Sequence, residues 1–169
     1  YLSFSDGILT TAALPFLSYT KGTLKDGSGN FMNNVTTAAC TDSARPVILS
    51  AVAYDNLRNA AGVDNDDTVV ITFSEPTNAP TIDATNIDDI IVLSSGHFWV
   101  DGSSGIGSAE WNTNKDRLTI TLSTAVTAPG IALGDIITPD GVSISDGQPN
   151  FNKAVSSRQV TGSFDIPGA

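Results

Sequence analysis

Thr68-Val-Val-Ile-Thr-Phe-Ser74 and Leu118-Thr-Ile-Thr-Leu-Ser123 are the two stretches on which the fold turns. Val69, Ile71 and Phe73 share one face of the first. Leu118, Ile120 and Leu122 share one face of the second, with Thr119 and Thr121 opposite. Period-two alternation of this kind belongs to strands that bury one side. Further strands are predicted at Val47–Ala53, Asp89–Leu93, Asp135–Thr138, Gly141–Ser145 and Ser157–Phe164, with Gly, Pro and Asn/Asp clusters between them. A single helical turn is expected at Asn59–Gly62 or Thr85–Asp88. About seven short strands with such punctuation predict an all-β, antiparallel β-sandwich.

Composition agrees. Ser and Thr together are about a fifth of the 169 residues, and Lys and Glu are scarce. The 40% of hydrophobic residues is enough for a packed core. Eighteen acidic residues against eight basic give a net charge of −10, which argues against nucleic acid, whose binding depends on cations facing phosphate. No apolar run reaches the length of a membrane-crossing helix, and no charged leader precedes an apolar stretch. Cys40 is the single cysteine, which excludes an intrachain disulfide, and a small buried residue is expected there. The Thr-rich, acidic balance points to an extracellular protein.

An internal repeat is visible. Leu2-Ser-Phe4-Ser answers Leu118-Thr-Ile120-Thr, Leu17–Thr20 answers Asp135–Thr138, and Asp26-Gly27-Ser-Gly-Asn30-Phe31 answers Asp146-Gly147-Gln-Pro-Asn150-Phe151, at offsets of about 116 to 120 residues. On this reading residues 1–42 are the C-terminal half of a preceding unit, or a strand-donating segment, and 43–169 hold one complete unit. Leu2, Phe4, Leu9, Leu17 and Leu24 would then form an apolar face that must pack on the chain's own main unit, on a missing half or on a neighbouring chain.

The run Ala44-Arg-Pro-Val-Ile-Leu-Ser, followed by Asp67-Thr-Val-Val-Ile-Thr-Phe-Ser-Glu75-Pro76, Leu118–Leu122, Gly134-Asp-Ile-Ile-Thr138 and Asp146–Asn150, resembles the bacterial Ig-like modules of S-layer and other large cell-surface proteins. Two departures are Pro149, where the pattern often has Gly, and the long insert Ser94–Asn114. The resemblance implies an Ig-like sandwich acting as spacer, adhesive or lattice module, without catalysis.

Three groups of residues are site candidates. Asp55, Asp64, Asp66 and Asp67 gather hard oxygen ligands in the loop between the first two strands of the main unit, and could hold Ca²⁺. An EF-hand frame starting at Asp64 fails, because Val69 stands where glycine is required. An Asx-rich hairpin loop favoured for turn geometry reads the same residues. His97, Trp99 and Trp111 lie in the Gly/Ser-rich insert 94–111, where exposed aromatics could stack on sugar rings or cap the core. Asp26–Asn30 and Asp146–Asn150 read as tight turns, and Asn34-Val35-Thr36 matches a glycosylation sequon. No nucleophile or phosphate-loop motif is present. Two functions follow as expectations: a structural module joining copies of itself or adjacent repeats in a surface layer, stalk or filament, and a glycan- or host-binding adhesin module.

Overall fold

The computed structural model describes residues 16–39, 44–56, 62–100, 105–123, 130–146, 154 and 156–165. It divides into two compact units, Tyr1–Ser43 and Ala44–Ala169. Leu2, Phe4, Leu9 and Cys40 lie outside the described residues.

The first unit is a two-stranded antiparallel sheet of β1 (Phe16–Tyr19) and β2 (Val35–Ala39), with Phe16 opposite Ala39 and Leu17 opposite Ala38. Its turn is locked by one side chain. Asp26 Oδ1 accepts the N–H groups of Ser28 and Asn30, both at 2.9 Å, and Oδ2 accepts the Asn30 amide at 2.9 Å. Gly29 supplies the left-handed residue that closes it (φ +87°). The Asn30 amide and the backbone N–H groups hold the Asp26 carboxyl below its ordinary range.

The second unit contains β3 (Ile48–Tyr54), β4 (Thr68–Phe73), the one-turn helix α1 (Ile87–Ile90), β5 (Ile91–Leu93), β6 (Gly105–Trp111), β7 (Arg117–Ser123), β8 (Ile136–Pro139) and β9 (Arg158–Gly162). Its strands follow the order β5-β8-β9-β3-β4-β7-β6 in a curled, mostly antiparallel sheet, an all-β sandwich-like fold. One pairing runs parallel: the first strand, β3, lies beside the last, β9, with Ala51 opposite Val160 and Ala53 opposite Gly162.

Register carries the core across the sheet. Val160, Ala51, Ile71, Leu118 and Trp111 are successive partners on five strands, as are Gly162, Ala53, Val69, Ile120 and Ala109. Val69, Ile71, Phe73, Leu118, Ile120 and Leu122 are all buried, while Thr119 and Thr121 are half-buried on the other face. Alternation therefore placed these side chains correctly, because a one-residue slip would have inverted every one. Ile120→Ala should cost roughly 2–5 kcal/mol and Thr121→Ala clearly less. Urea unfolding of both variants checks the register, and equal costs would contradict it.

Three local expectations are corrected. Asp89–Leu93 is not one strand: Ile87 and Ile90, three apart, are both buried and draw the chain into α1, leaving Ile91–Leu93 for β5. Gly141–Ser145 is not a strand either. Asp140 accepts the N–H groups of Val142 and Ser143 and the Ser143 hydroxyl, which folds the segment into a turn. The insert, which also reads as a β-hairpin with core-capping aromatics, contains a seven-residue edge strand, β6, whose bounds Gly105, Gly107 and Ser108 conceal by imitating a loop. Gly105 is required there, since a Cβ would sit 2.6 Å from Val100 Cγ2.

One correspondence links the units. In β8 and β9, Ile136 is opposite Gln159 and Ile137 opposite Arg158. Adding 120 to Phe16–Ala39 and to Leu17–Ala38 gives the same two pairs, while the third pair, Tyr19–Val35, maps to position 155, outside the described residues. This register corrects the match of Leu17–Thr20 from Asp135–Thr138 to residues 137–140, and beyond it the offset of 120 holds in the sequence: Leu24 and Ile144, Asp26 and Asp146, Asn30 and Asn150, Phe31 and Phe151, Val35 and Val155, Thr41 and Thr161, Ser43 and Ser163.

Candidate functional site

The acidic loop is organised around Asp67. Its carboxylate is buried, and Oδ1 accepts the Asn56 N–H at 3.0 Å while Oδ2 accepts the Asp64 N–H at 2.9 Å. The residue next door, Asp66, takes a left-handed conformation (φ 71°), which Asp tolerates. Backbone bonds from Asp66 N–H to Leu122 and from Leu122 N–H to Asp67 tie the loop to β7. Burial raises the Asp67 pKa above its ordinary 3.8, and the charges of Asp64 and Asp55 push it the same way against the two backbone bonds.

These residues form a structural tie. Among the described residues no group of three or more His, Cys, Asp or Glu side chains converges as metal ligands do. Both Asp67 oxygens accept backbone N–H groups, which tie the acidic loop together. Melting in excess chelator tests the Ca²⁺ expectation at this loop: an unchanged melting temperature would overturn it. A drop would show a bound cation, since a ligand specific for the folded state stabilises it by mass action.

The raised Asp67 pKa has a pH consequence. The folded state holds the Asp67 proton more tightly than the unfolded chain. The stability this gives is fully present below about pH 4 and is lost as pH rises through the folded pKa. Asp67→Asn removes the titration, so the stability of the native protein relative to this variant should improve on acidification towards pH 4. Urea titrations at several pH values check this, and a parallel pair of curves would contradict it.

The aromatic insert is also structural. Trp99 has no exposed surface and donates its indole N–H to the Ile91 carbonyl at 2.7 Å. Asp88, on α1, accepts the N–H groups of Trp99 and Val100 and holds the segment down. Trp111 is half-buried, donates to the Pro80 carbonyl at 2.9 Å and packs on Phe73 with ring centroids 5.5 Å apart. Trp99 therefore belongs to the core and cannot present a face to a sugar. The large exposed aromatic here is Phe98.

His97 Nδ1 lies 2.7 Å from Asp135 Oδ2, whose carboxylate is buried and also accepts the Ala132 N–H and the Ser94 hydroxyl. Ser, His and Asp meet here, but the Ser94 hydroxyl donates to the aspartate and accepts the Ile136 N–H. Nucleophilic catalysis needs the serine hydrogen-bonded to the histidine, which this arrangement does not provide. No signal in the sequence singled out Asp135, because it lies 38 residues from His97.

In the first unit Leu17 and Leu24 are exposed, with Phe16, Phe31 and Met32 around them. The ammonium groups of Lys25 and Lys21 lie 4.3 and 5.7 Å from the centre of the Phe31 ring. This patch of mixed basic and apolar character is the main solvent-facing feature of the hairpin.

A fold neighbour is known. It is the crystal structure of the N-terminal part of the bacterial S-layer protein SbsC, at 16% identity and a TM-score of 0.42, covering 73% of this chain and 25% of that chain. The chain thus spans about a quarter of that neighbour's length. No family model and no curated protein matches the sequence.

Proposed function

We propose that the protein is a non-catalytic structural stretch of a tandem β-module array, extracellular, joining neighbouring modules in a surface layer, stalk or filament. The observation that carries the reading is the shared register. Two hairpins whose strand partners coincide after a shift of 120 residues are parts of one repeating module. Modules in series transmit what is applied at their ends, and the second unit is built for that. Force entering at the start of β3 and leaving at the end of β9 runs along two strands that are parallel and hydrogen-bonded, so their bonds are loaded together in shear.

The extracellular part of the reading rests on the Thr-rich, acidic, Lys-poor composition. An antibody against residues 44–169 should label intact cells of the source, with label lost after mild surface proteolysis. Label appearing only in permeabilised cells would overturn it. The adhesin alternative loses its main support with Trp99 in the core and Trp111 hydrogen-bonded to the Pro80 carbonyl.

A further inference from the structure

We propose that β6 is a lateral interface: this free edge of the sheet pairs antiparallel with β6 of a second copy of the chain, about a two-fold axis at Ala109. The array joins modules end to end. This contact joins them side by side and does not depend on the array.

The two edges of the sheet differ. β5 is three residues long and follows α1 directly. β6 has seven residues, Gly-Ile-Gly-Ser-Ala-Glu-Trp, with no Lys, Arg or Pro among them. Very short strands, lysine, proline and bulges are the devices that keep an edge from pairing with another chain. The bulge between Ile106 and Ser108 is the one such device in β6, and it leaves Ser108–Trp111 regular.

Backbone bonds show which groups face outwards. Asn112 donates its N–H to the Arg117 carbonyl, and bonded positions alternate along an antiparallel pair. Glu110 and Ser108 therefore point their N–H and C=O groups at β7. The other side of β7 agrees. Phe73 donates to the Asp116 carbonyl and Leu122 to the Asp67 carbonyl, which turns the backbone of Leu118, Ile120 and Leu122 towards β4 and that of Thr119 and Thr121 towards β6. Ala109 and Trp111 are left with N–H and C=O groups pointing away from the sheet, and among the described residues no backbone group bonds to them there. Such a row is a template for strand addition, in which main-chain bonds supply affinity and side chains set the register.

Charge fixes the register. Glu110 is exposed and is the single charged side chain of β6. An axis through Glu110 would set two carboxylates directly opposite each other, which is destabilising. An axis through Ser108 runs into the bulge, and one through Trp111, the last residue of the strand, leaves little of β6 paired. At Ala109 a small side chain lies on the axis, and Glu110 faces Ser108 of the second copy. The Ser108 hydroxyl bonds to no described residue of its own chain and is free to donate to that carboxylate. Ser-Ala-Glu is thus complementary to itself read backwards, as a two-fold contact between identical surfaces requires.

The test is self-association of the full chain at low salt, followed by sedimentation for the native protein, Ser108→Glu and Ser108→Lys. The native chain should dimerise as concentration rises. Each Ser108–Glu110 pair occurs twice across the axis. Ser108→Glu makes both pairs like-charged and should weaken the dimer about tenfold, while Ser108→Lys makes both opposite-charged and should tighten it severalfold. Tightening cannot arise from a misfolded variant. Hydrogen exchange gives a second readout: the Ala109 and Trp111 amides should slow as concentration rises, and the Ser108 and Glu110 amides, already bonded to β7, should not. A chain monomeric to millimolar concentration, a dimer indifferent to both substitutions, or Ala109 and Trp111 amides unmoved by concentration overturns the proposal. Surface labelling keeps the two readings apart. Labelled cells with a monomeric chain sink the lateral contact alone, and a β6 dimer with intracellular label sinks the extracellular array alone.

Discussion

Trp99→Ala is expected to destabilise the second unit by about 3–5 kcal/mol, the range for removing a fully buried large aromatic. The loss has two sources. The indole vacates volume among the buried side chains that include Ile87, Ile90 and Ile91, and the Ile91 carbonyl loses its donor. Trp99→Phe separates them: it keeps most of the apolar volume and orphans only the carbonyl, at a cost of about 1–3 kcal/mol. Against a domain stability of roughly 5–15 kcal/mol, the alanine variant should lose a large share of its urea midpoint. A surface tryptophan of the kind that stacks on sugars would cost far less on truncation, so a loss under about 1 kcal/mol would contradict the buried placement.

Gly162→Ala should be comparably severe. A Cβ there would lie 2.2 Å from the Ala53 carbonyl oxygen and 3.0 Å from its nitrogen, both backbone atoms of the paired strand, and the residue has φ +93°. Neither conflict relaxes by turning a side chain, so β9 must move off β3. Gly134→Ala is the control. It has the same φ, but its nearest neighbour would be the Gln159 side chain at 3.7 Å. It carries only the backbone term, about 1–2 kcal/mol, while Gly162→Ala should exceed about 3 kcal/mol and blunt the cooperativity of melting. Equal costs would show that the close approach of β3 and β9 is absent in solution.

The core strands were legible because their signal is local and redundant. Thr68–Phe73 and Arg117–Ser123 alternate strictly, and buried Val69 and Ile71 of one meet buried Ile120 and Leu118 of the other. A helical turn was read at Thr85–Asp88, two residues ahead of α1, while the alternative at Asn59–Gly62 falls mostly outside the described residues, and the bounds of β6 were not read. The helical turn depends on where Ile87 and Ile90 find their cover, and β6 depends on pairing with β7 that overrides its glycines. The site residues were harder still. Asp67 was visible as one acid among four, yet its partners are backbone N–H groups, which carry no sequence signature. Trp99 drew attention as an aromatic in a Gly/Ser-rich stretch, but its burial is set by Asp88 and the Ile91 carbonyl, contacts made by the fold. The Asp-Gly-x-x-Asn-Phe repeat was visible as text. It was read there as half of a repeating unit; the pairing partners of its strands are not written in either segment alone.

Pulling on single molecules tests the structural role most directly. With the protein held through its two ends, the second unit should resist until the β3–β9 bonds fail together. It should then unfold in one event, releasing on the order of 400 Å of chain at ~3.5 Å per residue over roughly 120 residues. Attachment at residues 45 and 157, just before the starts of both parallel strands, should peel the same bonds one at a time and lower the unfolding force severalfold. Equal forces in the two geometries, or gradual yielding under end-to-end tension, would contradict the account.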